Sequence, residues 1–143
     1  MKTTNDLSKT LSSASSIDDY LKENEADLTP TPFIIQLEQY LADRNLKRSD
    51  LIKQMLIDRR YVYNLFDGSR KNPSREIVLQ LCLAMKLSVS EANHLLNAAG
   101  VNELYARSPF DSVIIYCLQN QISLTDCNSV LEQHNLPFFK GKE

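Results

Sequence analysis

The chain has 143 residues, with 16 Lys+Arg against 18 Asp+Glu for a formal net charge of −2, and its 43% hydrophobic and 24% charged fractions suit one globular domain with tails. No run approaches the 18 or so apolar residues that a membrane span needs, and Met1 to Thr10 has no signal-like apolar core, so a cytoplasmic protein is expected. Three cysteines without CxxC spacing argue against a disulfide framework or a zinc site, and only three glycines leave little material for hairpins or phosphate loops, so the chain reads as all-α.

Residues 1–31 are expected to form a flexible acidic N-terminal segment, because Ser- and Thr-rich sequence up to Ser16 has too few apolar groups to offset ordering entropy. Ser16 then caps a short helix with Ile17, Tyr20 and Leu21 on one stripe. Thr29-Pro30-Thr31-Pro32 breaks it, and Pro32 starts the next helix, where its missing N–H is no loss. Phe33, Ile34, Leu37, Tyr40 and Leu41 predict a helix with one buried face, ending near Asp43 to Asn45. Leu51, Ile52, Met55 and Leu56 define a short second helix. Asp58 is a good N-cap for a third over about residues 59–66, with Tyr61, Val62, Leu65 and Phe66 inward and Asp67-Gly68 as its stop. Asn72-Pro73-Ser74 opens a fourth, with Ile77, Val78, Leu81, Cys82 and Met85 inward. Ser88 and Glu91 make an S-x-x-E capping box for a fifth, which Gly100 terminates. Residues 32–100 thus form the predicted central domain.

Beyond it, residues 77–101 align with 112–136 at an offset of 35, matching Val78 with Val113, Cys82 with Cys117, Leu83 with Leu118, Ser88 with Ser123, Asn93 with Asn128 and Leu96 with Leu131. Duplication and shared hairpin patterning explain these matches about equally, and either predicts a C-terminal αα-hairpin in residues 101–143, with helices over about 110–120 and 123–133. Val113 to Leu118 is apolar almost all round, and Leu136-Pro137-Phe138-Phe139 adds an aromatic end. Three uses are open: completing the core under the first helix with the tail docked, forming a homodimer interface, or receiving a regulatory protein partner.

Charge is unevenly spread along these elements. Residues 1–43 sum to −5, residues 44–75 to +6 and residues 76–143 to −3. A basic stretch between acidic flanks points to a polyanion-facing surface, or else to a solvated face neutralised by those flanks; charge alone does not separate the two. The order short helix, tight turn, short helix over residues 47–68 favours the first. A helix-turn-helix places the N-terminal end of its second helix in the major groove of double-stranded DNA. Arg59 and Arg60 stand there, and an arginine fork can donate twice to guanine. Tyr63 and Asn64 follow one turn later, still in reach of base edges. Arg48, Ser69, Arg70 and Lys71 are the candidate phosphate contacts.

Residues 33–87 resemble the helix-turn-helix domain of the Cro and phage-repressor (XRE) regulators. The matching pieces are Leu46-x4-Leu51, Asp58-Arg59-Arg60-Tyr61-Val62-Tyr63-Asn64-Leu65, Gly68, Pro73-Ser74 and Leu81-Cys82-x-Ala84-Met85-x-Leu87. The resemblance implies an all-α, lambda-repressor-like fold and a sequence-specific transcriptional regulator, with base-reading side chains at Arg59, Arg60 and Asn64. The family usually carries Ala at Ile52 and Gly at Leu56, and often Glu at Phe66. These departures motivate an alternative, a non-enzymatic protein-interaction module on a degenerate helix-turn-helix fold. Tyr61, Tyr63 and Phe66 among arginines also resemble a single-strand stacking platform, although their spacing is equally that of a packed helix. Isolated His94 and His134, cysteines among apolar neighbours, and the absence of a nucleophile elbow, P-loop or dinucleotide fingerprint leave no catalytic residue, cofactor or metal to expect.

Overall fold

Residues 32–68 and 72–139 are described by a computed structural model, and the expected short helix after Ser16 lies outside them. The described residues form seven α-helices: α1 (Phe33–Asp43), α2 (Arg48–Gln54), α3 (Arg59–Asp67), α4 (Arg75–Ala84), α5 (Val89–Ala98), α6 (Pro109–Gln119) and α7 (Leu124–Gln133). The fold is all-α, as the composition implies. One boundary differs from the sequence reading: Met55 and Leu56 lie beyond the end of α2, in the turn to α3. Ser74, the last residue of the predicted opening, caps α4, its hydroxyl accepting from the Ile77 N–H.

The core is organised around α4. Its apolar spacing predicted one buried face, yet every residue from Ile77 to Met85 is buried, because α2, α5, α6 and α7 all pack on it. A helix apolar nearly all round finds partners on every side. Burying one Leu or Ile side chain contributes about 1.5–3 kcal/mol, so α4 carries much of the hydrophobic stabilisation. α1 lies against α5 and contributes Leu37, Tyr40 and Leu41. The C-terminal hairpin packs on α4, and α6 also touches α5, so the described part of residues 101–143 shares one core with residues 32–100. Phe139 is buried at its end, with its ring 5.9 Å from that of Phe110.

Five helices end in the same way. A residue with positive φ (Asn45, Lys86, Gly100, Gln121, Asn135) follows the last turn, and the next, apolar residue sends its N–H back to a helix carbonyl at 2.9–3.1 Å, from Leu46 to Leu41, Leu87 to Cys82, Val101 to Leu96, Ile122 to Cys117 and Leu136 to Leu131. This closure satisfies end carbonyls and turns the apolar residue onto the core. Lys86 and Gln121 hold left-handed backbone that costs a side chain about 1–2 kcal/mol, partly offset by the entropy glycine would lose. Lys86→Gly and Gln121→Gly are therefore each expected to stabilise the fold by about 0.5–1 kcal/mol, measurable by urea unfolding.

The offset of 35 seen in the sequence is also an offset between matching structural features. In α5, Asn93 Oδ1 accepts from the Leu104 N–H at 2.9 Å. In α7, Asn128 Oδ1 accepts from the Phe139 N–H at 2.6 Å while its Nδ2 donates to the Phe139 carbonyl at 2.9 Å. Both pairs, Asn93 with Asn128 and Leu104 with Phe139, keep the offset of 35 seen in the sequence. So do the left-handed residues Lys86 and Gln121, and Gly100 and Asn135, and the serine caps Ser88 and Ser123. Each unit is a helix, a left-handed stop, a serine-capped helix and an asparagine-pinned return.

Candidate nucleic-acid interface

The local chemistry of residues 55–60 sets where α3 starts. Met55 is extended (φ −81°, ψ 148°), and no residue from 55 to 58 has a positive φ, so this turn has a shape that Leu56 enters without left-handed strain. Met55 and Ile57 are buried, and the Leu56 N–H donates to Gln80 Oε1 of α4 at 3.1 Å. Gln80 is fully buried, and its Nε2 has no hydrogen-bond partner among the described residues. It is the one polar side chain in an apolar stretch of α4, a signal present in the sequence but not singled out. Asp58 then caps α3, its Oδ1 accepting from the Arg60 N–H at 3.0 Å, and Gly68 at φ 83° closes the helix. Asp58→Ala is expected to cost about 1 kcal/mol of stability by urea unfolding, since the first turn loses its side-chain acceptor.

Val62, Leu65 and Phe66 face the core, so the opposite face of α3 presents Arg59, Arg60 and Tyr63 to solvent, with Asn64 half-buried beside them. Positions 59 and 63, and 60 and 64, are one helical turn apart and share that face. The structure thus brings the four candidate base-reading residues together. Of the candidate phosphate contacts, Ser69, Arg70 and Lys71 lie outside the described residues. Arg48 is described, and it is already engaged: its guanidinium carbon sits 4.6 Å from the centre of the Phe66 ring, and its Nη2 donates to Glu38 Oε1 at 2.7 Å. The Phe66 ring is the surface on which Arg48 lies.

Two further arginines of the basic stretch are ion-paired with acids outside it. Arg44 reaches Glu91 and Arg75 reaches Asp111, both at 2.7 Å, and Arg44 also lies 5.7 Å from the Tyr40 ring centre. Burial and the neighbouring Glu91 charge push the Tyr40 hydroxyl up to about 12. Burial alone would raise the Glu91 carboxyl, but the Ser88 N–H, the Arg44 hydrogen bond and charge, and the Ser88 hydroxyl together hold it below its ordinary value. The positive excess of residues 44–75 is therefore partly spent on tying α1, α2 and α4 to their neighbours. Among the described residues no ion pair engages Lys47, Lys53, Arg59 or Arg60.

Elsewhere the chemistry is quiet. Cys82, Cys117 and Cys127 are free and buried, and burial pushes each thiol up, away from the reactive thiolate. His94 and His134 are exposed on different helices or their ends. No group of three or more His, Cys, Asp or Glu among the described residues could hold a metal, and no described helix is long and apolar enough to cross a membrane. The comparisons add no relative, for no protein-family model, curated protein or solved structure matches the chain.

Proposed function

We propose that the protein is a non-enzymatic, sequence-specific regulator of the Cro and phage-repressor class, with α2 and α3 as its helix-turn-helix and α3 reading the major groove of double-stranded DNA. One observation carries the reading: Arg59, Arg60, Tyr63 and Asn64 share the outward face of a capped helix, and among the described residues the two arginines are held by no ion pair. Arginine can pair bidentately with guanine, asparagine with adenine, and a tyrosine ring can meet thymine methyls. The test is a titration of random-sequence duplex DNA at several salt concentrations, followed by selection of bound duplexes from a random pool. Binding that weakens with salt at a log–log slope of about −0.9 for each phosphate neutralised, together with a selected motif, supports it. A two-fold symmetric motif would indicate two copies on DNA.

The protein-interaction reading is favoured by different observations: the extended turn at Met55 departs from the family pattern, and Arg44, Arg48 and Arg75 are neutralised internally. A flat salt response with no selected motif favours that reading instead.

A further inference from the structure

We infer that the junction of α1, α2 and α3 is a nucleic-acid phosphate site held closed by a carboxylate, with Glu38 withholding Arg48 from phosphate until the neighbouring reading face is engaged. This rests on the DNA-binding reading above and specifies how that surface discriminates among sequences. Arg48 is fixed by two contacts of different kind. Its guanidinium carbon lies over the Phe66 ring, 4.6 Å from the ring centre, with Phe66 only 7% exposed, and its Nη2 donates to Glu38 Oε1 at 2.7 Å. The Arg48 and Glu38 side chains remain 50% and 43% exposed, so solvent and a ligand anion reach the pair.

The Phe66 ring attracts the guanidinium cation whichever anion accepts from its Nη2. A phosphate oxygen can take the place of the carboxylate oxygen without reordering the arginine, because both accept from the same fork. The exchange by itself gains little, since one anion replaces another and leaves Glu38 beside the phosphate. It proceeds when other contacts supply the difference, and Phe66 belongs to the same helix that presents Arg59 and Arg60. A random duplex therefore draws no counterion release from Arg48, whereas a site read by α3 does. Lowering non-specific affinity while sparing the specific complex widens the ratio between them.

The experiment compares wild type with Glu38→Gln, which keeps the side-chain shape and removes its charge. An exposed ion pair adds little to stability, and circular-dichroism melts confirm that the variant folds. Glu38→Gln is expected to bind random-sequence duplex DNA about two- to fivefold more tightly at low salt. Its log–log salt slope should steepen by about one, and Glu38→Gln/Arg48→Gln should return to the wild-type slope. Duplex binding by wild type with affinity and slope unchanged in Glu38→Gln overturns this inference alone. So does a slope reduced by about one in Arg48→Gln on random duplex, for Arg48 would then already touch phosphate. A wild-type protein that binds no duplex at low salt overturns the DNA-binding reading and this inference together.

Discussion

Replacing Arg59 and Arg60 together with alanine is expected to abolish preference for the selected duplex, and each single replacement to cost about 1–3 kcal/mol of binding, roughly 5- to 150-fold, at that site. Both side chains are exposed and, among the described residues, outside any ion pair, so the loss falls on recognition and leaves folding intact. The Arg60 backbone N–H, which the Asp58 cap uses, survives the substitution. Competition binding against random duplex checks the effect, with thermal melts as the control for folding. Equal affinity of wild type and double variant for the selected duplex at low salt would remove α3 from the reading role. A fall of similar size on every sequence would make the two arginines phosphate contacts only, since such contacts position the protein without reading bases.

Most helices were legible because their signals are local. The apolar spacing of Phe33 to Leu41, the Asp58 cap, the Ser88–Glu91 box and the Gly68 and Gly100 stops all act within a few residues of chain, and the structure uses each of them. Met55 and Leu56 misled for a physical reason. They are apolar and in register with Leu51 and Ile52, but they are covered by the core as part of an extended turn, and burial alone does not distinguish helix from turn. Lys86 and Gln121 carry no mark of the left-handed backbone they adopt; the following Leu87 and Ile122, pulled onto the core, impose it.

The candidate site was legible in its outward face and illegible in its electrostatics. Positions 59, 60, 63 and 64 follow from helical periodicity once Asp58 is taken as the cap. The neutralisation of Arg44, Arg48 and Arg75 depends on Glu91, Glu38 and Asp111, which stand 47, 10 and 36 positions away and meet them only after the helices pack. A sum over residues 44–75 counted those arginines as free charge. Among the described residues, the basic side chains of this stretch outside any ion pair are Lys47, Lys53, Arg59 and Arg60, at or on α2 and α3, a narrower surface with less charge than the sum suggests.

The largest expected effect on stability comes from Arg75→Met, about 2–4 kcal/mol by urea unfolding at neutral pH. Arg75 forks onto both carboxylate oxygens of Asp111, at 3.0 and 2.7 Å, and donates to the carbonyls of Asn102 and Glu103, so one side chain at the start of α4 fastens α6 and the segment that leads to it. Asp111 also accepts from the Tyr105 N–H at 2.9 Å, and its side chain is only 6% exposed. Removing the guanidinium leaves a buried carboxylate with its desolvation cost uncompensated, whereas Arg75→Met/Asp111→Asn keeps an acceptor for Tyr105 without the charge. The double variant should therefore lose less than the two single losses added. The acid dependence separates this ion pair from general packing. Burial by itself would raise the Asp111 carboxyl, but the Arg75 hydrogen bonds, the Tyr105 N–H and the Arg75 charge hold it below its ordinary value. A carboxyl lowered in the folded state contributes stability that is fully present above its unfolded value, about 3.9, and is lost as pH falls from there through the lowered one. With Arg75 gone, burial is opposed only by the Tyr105 N–H, so Asp111 protonates at a higher pH in the variant than in wild type. The difference between the two should therefore be largest at neutral pH, shrink as pH falls through the variant's value, and continue to shrink through the lowered value of wild type. A difference that persists unchanged into acid would assign the role of Arg75 to its stem and its carbonyl contacts instead of to the charge of Asp111.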